Sequence, residues 1–258
     1  MKDIILNEVA KASALISGNA KVEDLRTAVS LIARYDILAA QIPAAEAAAH
    51  VKRVAKRLFP ARRVAEYENY ITYCVENAAS RPLIRMDCVP ITQKELDAVC
   101  SCDGIRAKCL AFAMLAIAKF ETMRYEPINC WIAHDGFYET IRRANLTLSA
   151  SDVAAICRQL KLDGKIAFPY RRDSLSVHVL FVDPDGKPVM QLNEQDYYDL
   201  GYCLRAYLGE PYTRCEECGR WVKQAKNGRR RFCSDCAADN HNRSSLAHYH
   251  RKSSICTT

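Results

Sequence analysis

No stretch of this sequence is long and apolar enough to cross a bilayer. The longest apolar run, CLAFAMLAIA at 109–118, is half the length a spanning helix needs and reads as a buried helix. The N-terminus, MKDIILNEVAKASAL, carries an acidic residue at position 3 and no extended apolar core, so a signal peptide is not expected. A cytosolic protein is expected, of a bacterial cell or an infected host cell, with no membrane partner. Catalytic signatures are missing too. There is no Walker loop, no HExxH, no GxSxG and no convincing pair of carboxylates, so an enzyme is not expected. Glycine and proline are scarce, at nine each in 258 residues, which argues for folded elements over disorder. The length suggests one to two domains plus a small module.

Cysteine is abundant instead, at thirteen residues. Nine of them (Cys74, Cys88, Cys100, Cys102, Cys109, Cys130, Cys157, Cys203 and Cys256) are scattered, many in apolar surroundings, and read as small core residues. Without a secretion signal, a disulfide framework is disfavoured. The other four form CEEC and CSDC at 215–218 and 233–236, with a fourteen-residue gap. Two CxxC pairs complete an all-thiolate tetrahedron, the donor set of a structural zinc, so Zn2+ on Cys215, Cys218, Cys233 and Cys236 is expected. A redox CxxC is the alternative, which two matched pairs make a poor fit. His241, His248 and His250 lie downstream and offer substitute ligands, although an imidazole on a surface helix is the plainer account. A His-Asn-His nuclease uses a similar platform, but no histidine or acidic residue lies between Cys218 and Cys233.

Charge is uneven along the chain. Residues 211–258 hold ten Lys and Arg against four Asp and Glu, whereas residues 1–210 hold 27 against 26. A localised basic excess is the footprint expected of a nucleic-acid contact. In the knuckle and its tail, Lys223, Lys226, Arg229, Arg230, Arg231 and Arg243 are the candidate phosphate contacts. On a strand, Arg229 to Arg231 would alternate in direction, leaving two on one face. A metal-stapled tail that packs on a partner protein is the competing reading.

The coarse pattern is mainly α with a small β component. Residues 1–86 read as a helical region, in which Val22, Leu25, Val29 and Ile32 fall at helical spacing. A helix between Pro43 and Pro60 has Val51, Val54, Ala55 and Leu58 as its apolar stripe. That leaves Lys52, Arg53, Lys56 and Arg57 outside, with Arg62 and Arg63 extending the basic face. Such charge runs are ordinarily solvated faces. A third helix covers RRVAEYENYITYCVENAA.

Residues 87–192 carry the sharper pattern. Thr92 and Glu95 make a capping-box signal, the helix RAKCLAFAMLAIAKFETM follows, and FYETIRRANL supplies a short helix. The next helix, SDVAAICRQLKLDG, is expected to start at an N-cap Ser151 and stop at Gly164, burying Val153, Ile156, Cys157 and Leu160. Strands KIAFPY (165–170) and LSVHVLFV (175–182) complete a hairpin. This order predicts a winged helix-turn-helix. Its exposed recognition positions would be Ser151, Asp152, Ala155, Arg158 and Gln159, with Arg158 and Gln159 suited to base edges and Arg171 and Arg172 at the hairpin suited to phosphate. Asp152 works against phosphate approach. Winged helices also dock proteins, so the fold does not by itself give DNA. Residues 183–192 read as a turn and short strand, 193–210 as a connecting helix, and 211–258 as the zinc module with its basic tail.

VPITQKEL, the helix ending AKF, Trp131, FYETIRRANL, LKLDGKIAF, SVHVLFVD and the CxxCG…RFCSDC order together resemble an uncharacterised family of phages and prophages of Gram-positive bacteria, over about residues 80–240. The resemblance implies a mobile-element origin and no established activity. NGRRRFCSDC with HNR also resembles the zinc finger of CGNR-type transcription regulators. Cys233, Cys236 and Arg243 match it, while the Cys-Gly-Asn-Arg tetrad is missing. The expectation is a DNA-binding protein, with DNA favoured over RNA. A phage-encoded adaptor or inhibitor that docks on a host protein is the rival. Oligomeric state is not legible.

Overall fold

The computed structural model describes residues 4–20, 22, 24–124, 130–169, 176–225 and 230–243. Among these described residues it is mainly helical with three small antiparallel sheets, and the chain divides into two compact units, residues 2–87 and 88–258. Among the described residues no helix is long and apolar enough to cross a membrane.

Among the described residues the first unit's elements are helices, α1 (Glu8–Ser17), α2 (Leu25–Leu38), α3 (Ala44–Leu58), α4 (Ala61–Ala65) and α5 (Glu68–Glu76), then a 3-10 turn at Ala78–Ser80, with one isolated antiparallel bridge between Asn7 and Arg85. Asn7 caps α1, and Gly18 closes it at φ 82°, where an L side chain would be strained. Asp24 caps α2 by accepting from the Arg26 and Thr27 amides. Leu25, Val29 and Ile32 of α2 pack with Ala47, Val51, Val54 and Ala55 of α3 and Ile71 and Val75 of α5. The α3 stripe is therefore buried as its spacing predicts, with Leu58 at its margin and Arg53, Lys56 and Arg57 exposed. A buried ion pair fastens the unit's end to its beginning. Arg34 donates to both oxygens of Glu8 at 2.6 and 2.8 Å, and Glu8 also accepts from the Ile84 amide at 3.0 Å.

One expectation here is corrected. The single helix expected over RRVAEYENYITYCVENAA is broken at Glu66 and Tyr67 into α4 and α5. No glycine or proline marks the break; it is a packing feature, with the Arg26 guanidinium lying over the Tyr67 and Tyr70 rings at 5.7 and 5.8 Å.

The second unit is built around α7 (Gly104–Arg124), in which every residue from Cys109 to Phe120 is buried. Strand β1 (Val89–Thr92) leads into α6 (Gln93–Cys100), and the Thr92–Glu95 capping box forms as expected. After α7 come β2 (Trp131–Ile132), α8 (His134–Arg143), α9 (Ala150–Leu162), β3 (Ile166–Ala167), β4 (Val177–Val179) and β5 (Pro188–Leu192). A 3-10 turn at Asp196–Tyr198 precedes α10 (Leu200–Tyr207). The hairpin of the four-cysteine module is β6 (Tyr212–Arg214) and β7 (Trp221–Lys223), and a helical segment covers 234–243.

Strand β1 pairs with β5, so the turn-and-strand reading of 183–192 acquires a partner that the capping-box signal had hidden. The second sheet has the order β2-β4-β3: the strand before α8 pairs with the last strand of the hairpin. Trp131 stacks on its cross-strand neighbour His178 at 4.8 Å and 10°. Both hairpin strands are shorter than their sequence suggested, because only Ile166, Val177 and Val179 reach the interior. The α9 cap is also corrected. Ser149, not Ser151, is the N-cap: its hydroxyl accepts from the Asp152 amide at 3.1 Å, and Asp152 accepts from the Ser149 amide at 3.0 Å. Ser149 and Asp152 have the three-residue spacing of a capping box.

Candidate metal centre

The knuckle is assembled by backbone hydrogen bonds around a tight corner. Strand β6 delivers Cys215, whose amide donates to the Arg220 carbonyl at 2.7 Å, while Gly219 donates back to Cys215 at 3.0 Å. Gly219 has φ 74°, the left-handed conformation that lets Cys218 turn toward Cys215. The second pair is brought alongside by the Glu216 amide, which donates to the Arg231 carbonyl at 3.0 Å. Gln224 acts as a side-chain strap, accepting from the Arg230 amide at 3.0 Å and donating to the Arg230 carbonyl at 2.9 Å. Arg230 and Arg231 therefore lie in an irregular segment, so the alternation that a strand would impose on them does not arise.

The result is a cluster of Cys215, Cys218, Cys233 and Cys236 whose sulfurs all lie within 4.8 Å of one another, with Cys218 and Cys233 3.7 Å apart. Sulfurs about 2.3 Å from a common ion at tetrahedral corners stand about 3.8 Å apart, so the donor set fits such an ion. Protonation divides the cluster, with Cys215 lowered and Cys218 and Cys236 raised. Burial works against a thiolate at Cys215, but the amides of Cys218, Cys233 and Glu217 aimed at its sulfur lower the thiol to about 6. Cys236 moves the other way, raised by burial and by the neighbouring sulfurs. Four thiols this close ionise together when a cation sits among them. The surrounding core is small: Cys215, Val222 and Cys233 are buried, with Phe232 against them. His241 is not part of the cluster, and His248 and His250 lie outside the described residues.

The scattered cysteines contrast with this quartet. Burial pushes Cys109 and Cys157 up to about 11 and Cys203 up to about 12, which suits inert core thiols.

Sequence reasoning missed what holds the knuckle to its unit. Asp196 and Asp199 are buried at 0% and 3% exposure. Asp196 accepts from Arg214 at 2.8 Å and from the Trp221 indole at 2.7 Å; Asp199 accepts from Arg220 at 3.0 and 3.2 Å. Arg214 also lies over the Trp221 ring at 4.5 Å, and Tyr212 stacks on Tyr202 of α10 at 4.9 Å. No spacing rule pairs the knuckle with NEQDYYDL, so only the acidic character of that segment hinted at the contact.

The candidate phosphate and base contacts fall into three groups. Arg158 and Lys223 are exposed, as are Arg230 and Gln159, whose amide donates to Asp163 at 2.8 Å. Arg231 is bound to Glu216 at 2.5 Å and Arg243 to Glu217, so both guanidiniums already carry a carboxylate. Arg171, Arg172, Lys226 and Arg229 lie outside the described residues. Asp152 is engaged in the α9 cap, where hydrogen bonds from the Ser149 hydroxyl and amide lower its pKa and hold a negative charge at the start of the helix.

No family model matches the chain, and no curated protein or solved structure matches it either, so the resemblance to phage proteins rests on the residue pattern alone.

Proposed function

We propose that this protein binds duplex DNA, with α9 as the groove-reading helix and a zinc-holding knuckle as a phosphate contact on the same unit, in a regulatory or replication-related role. The observation that carries the reading is the run α7–β2–α8–α9–β3–β4 with its β2-β4-β3 sheet, the element and strand order of a winged helix. On that scaffold the outer face of α9 presents Ser151, Ala155, Arg158 and Gln159 to solvent. Zinc is the proposed ion because a closed shell of four thiolates suits it as a structural metal. Cys215, Cys218, Cys233 and Cys236 would hold it, and it would supply folding stability, not chemistry.

Fluorescence anisotropy with a labelled duplex tests this. Binding should fall steeply from low to moderate salt as phosphate contacts release counterions. Arg158→Ala should weaken it by about tenfold, and Lys223→Ala with Arg230→Ala should flatten the salt dependence. Absence of duplex binding at low salt would sink the reading.

A second reading, a protein-docking module acting as an adaptor or inhibitor, is favoured by exposed apolar residues at the end of α9 and just after β4. Leu162 is 75% exposed and Leu180 is 48% exposed. Under that reading a partner is retained after nuclease treatment, and Leu162→Ser releases it.

A further inference from the structure

The turn between α8 and α9, which sets where α9 stands, rests on the same segment that anchors the four-cysteine knuckle. The Arg143 guanidinium, buried at the end of α8, donates to the Tyr197 carbonyl at 2.5 Å. The Ala144 carbonyl lies against Gly201, too close for a side chain there. Asn145 takes the left-handed conformation at φ 53°, which Asn tolerates better than most residues. Its side chain donates to Asp199 at 3.1 Å and accepts from the Tyr202 amide at 3.4 Å. Three successive residues at the head of the turn are thus held by residues 197–202.

That segment takes its counter-charge from the knuckle. The buried Asp199 accepts from Arg220 at both oxygens, and the buried Asp196 accepts from Arg214. Arg220 stands between the two CxxC pairs and touches both. Its carbonyl accepts from the Cys215 amide at 2.7 Å, and its guanidinium reaches Asp235, between Cys233 and Cys236, at 3.3 Å. Within Asp199 the two sides converge on one atom: Oδ1 accepts from Arg220 Nη2 at 3.2 Å and from Asn145 Nδ2 at 3.1 Å. Knuckle and turn therefore share a single carboxylate oxygen.

We propose that the knuckle is a metal-dependent clamp on the α8–α9 turn, tying the placement of α9 to occupancy of the four-cysteine site. Its consequence at α9 rests on the duplex-DNA reading above; its mechanism does not. A module with so little core folds together with its metal. When the knuckle opens, Arg214 and Arg220 leave, and two buried carboxylates lose their cations, a strongly disfavoured state. Residues 196–199 then relax toward water, Asn145 loses its acceptor, and the turn gives up the contacts that fix its left-handed residue. The capping box of Ser149 and Asp152 stays with α9, so the helix shifts in placement and keeps its helicity.

Hydrogen exchange read by mass spectrometry tests the clamp on the full chain, zinc-loaded and after chelation. Chelation should speed exchange about tenfold in peptides covering 143–149 and 199–203, a loosening that leaves 109–118 protected. In the zinc-loaded protein Arg220→Leu should do the same with one ion per chain retained, since Arg220 is not a ligand. Adding Asp199→Asn to Arg220→Leu removes the stranded charge and should restore slow exchange. Slow exchange at 143–149 after chelation, or in ion-retaining Arg220→Leu, overturns the proposal. So does an equal rise at 109–118, which is loss of stability by the whole unit. If Arg220→Leu costs the ion, the chelation result alone decides.

Duplex anisotropy on the same samples separates the two readings. Zinc-loaded Arg220→Leu keeps Arg158, Lys223 and Arg230 and should bind duplex about tenfold more weakly, while the double variant, which also lacks Arg220, should recover. Unchanged duplex affinity in the loosened variant removes the link to α9 and overturns the proposal. A wild-type protein that binds no duplex sinks the DNA reading, and exchange still decides the clamp.

Discussion

Lys119 lies on the most thoroughly buried helix of the chain, and both oxygens of Glu95 meet its ammonium, at 2.8 and 2.9 Å. Glu95 is itself fully buried and also accepts from the amides of Thr92 and Asp183, each at 2.8 Å. One carboxylate thereby closes a helix cap, neutralises a buried lysine and pins the 183 turn. Lys119→Met removes the cationic partner of a fully buried carboxyl group, and should cost about 3–5 kcal/mol in a thermal or urea melt. Lys119→Met combined with Glu95→Gln should cost less than Lys119→Met alone. Half of this arrangement was legible: Thr92 and Glu95 stand three apart, the spacing of a capping box. The other half was not, because Lys119 lies twenty-four residues away and no local rule relates the two.

Among the elements, helices were easier to read than strands, for a reason of length. A helix such as α3 repeats its apolar spacing over 15 residues, whereas β2 and β3 have two residues each, too few to show alternation. The contact of α10 with the end of α8 shows what packing adds. A Cβ at Gly201 would lie 1.8 Å from the Ala144 carbonyl oxygen, so the two backbones meet where a side chain cannot fit. Gly201→Ala should push α10 away and cost at least about 1–3 kcal/mol, read as a lower urea midpoint with the slope unchanged. That displacement would also disturb Asp199, which precedes α10 and holds Arg220 of the knuckle.

At the scale of the molecule, the knuckle is a small module with little core of its own, tied to its unit by two buried aspartates. Loading with zinc should give one ion per chain. Removing the ion with a chelator should lower the melting temperature and open residues 211–243 to protease, while residues 88–210 stay protected. Cys218→Ser should behave as the chelated protein does. Protection unchanged by chelation, or no bound ion, would contradict a structural metal.

By itself the sequence determined the mainly helical character, the buried face of α3, the burial of 109–118 and the four-cysteine set. Each depends on spacing within a few turns or on two short matched motifs. The tertiary structure decided which charges are available. Arg214 and Arg220 are drawn onto Asp196 and Asp199, Arg231 and Arg243 onto Glu216 and Glu217, while Lys223 and Arg230 face solvent. A guanidinium's role depends on the carboxylate the fold brings within hydrogen-bond reach, and that pairing exists only once distant segments have packed together.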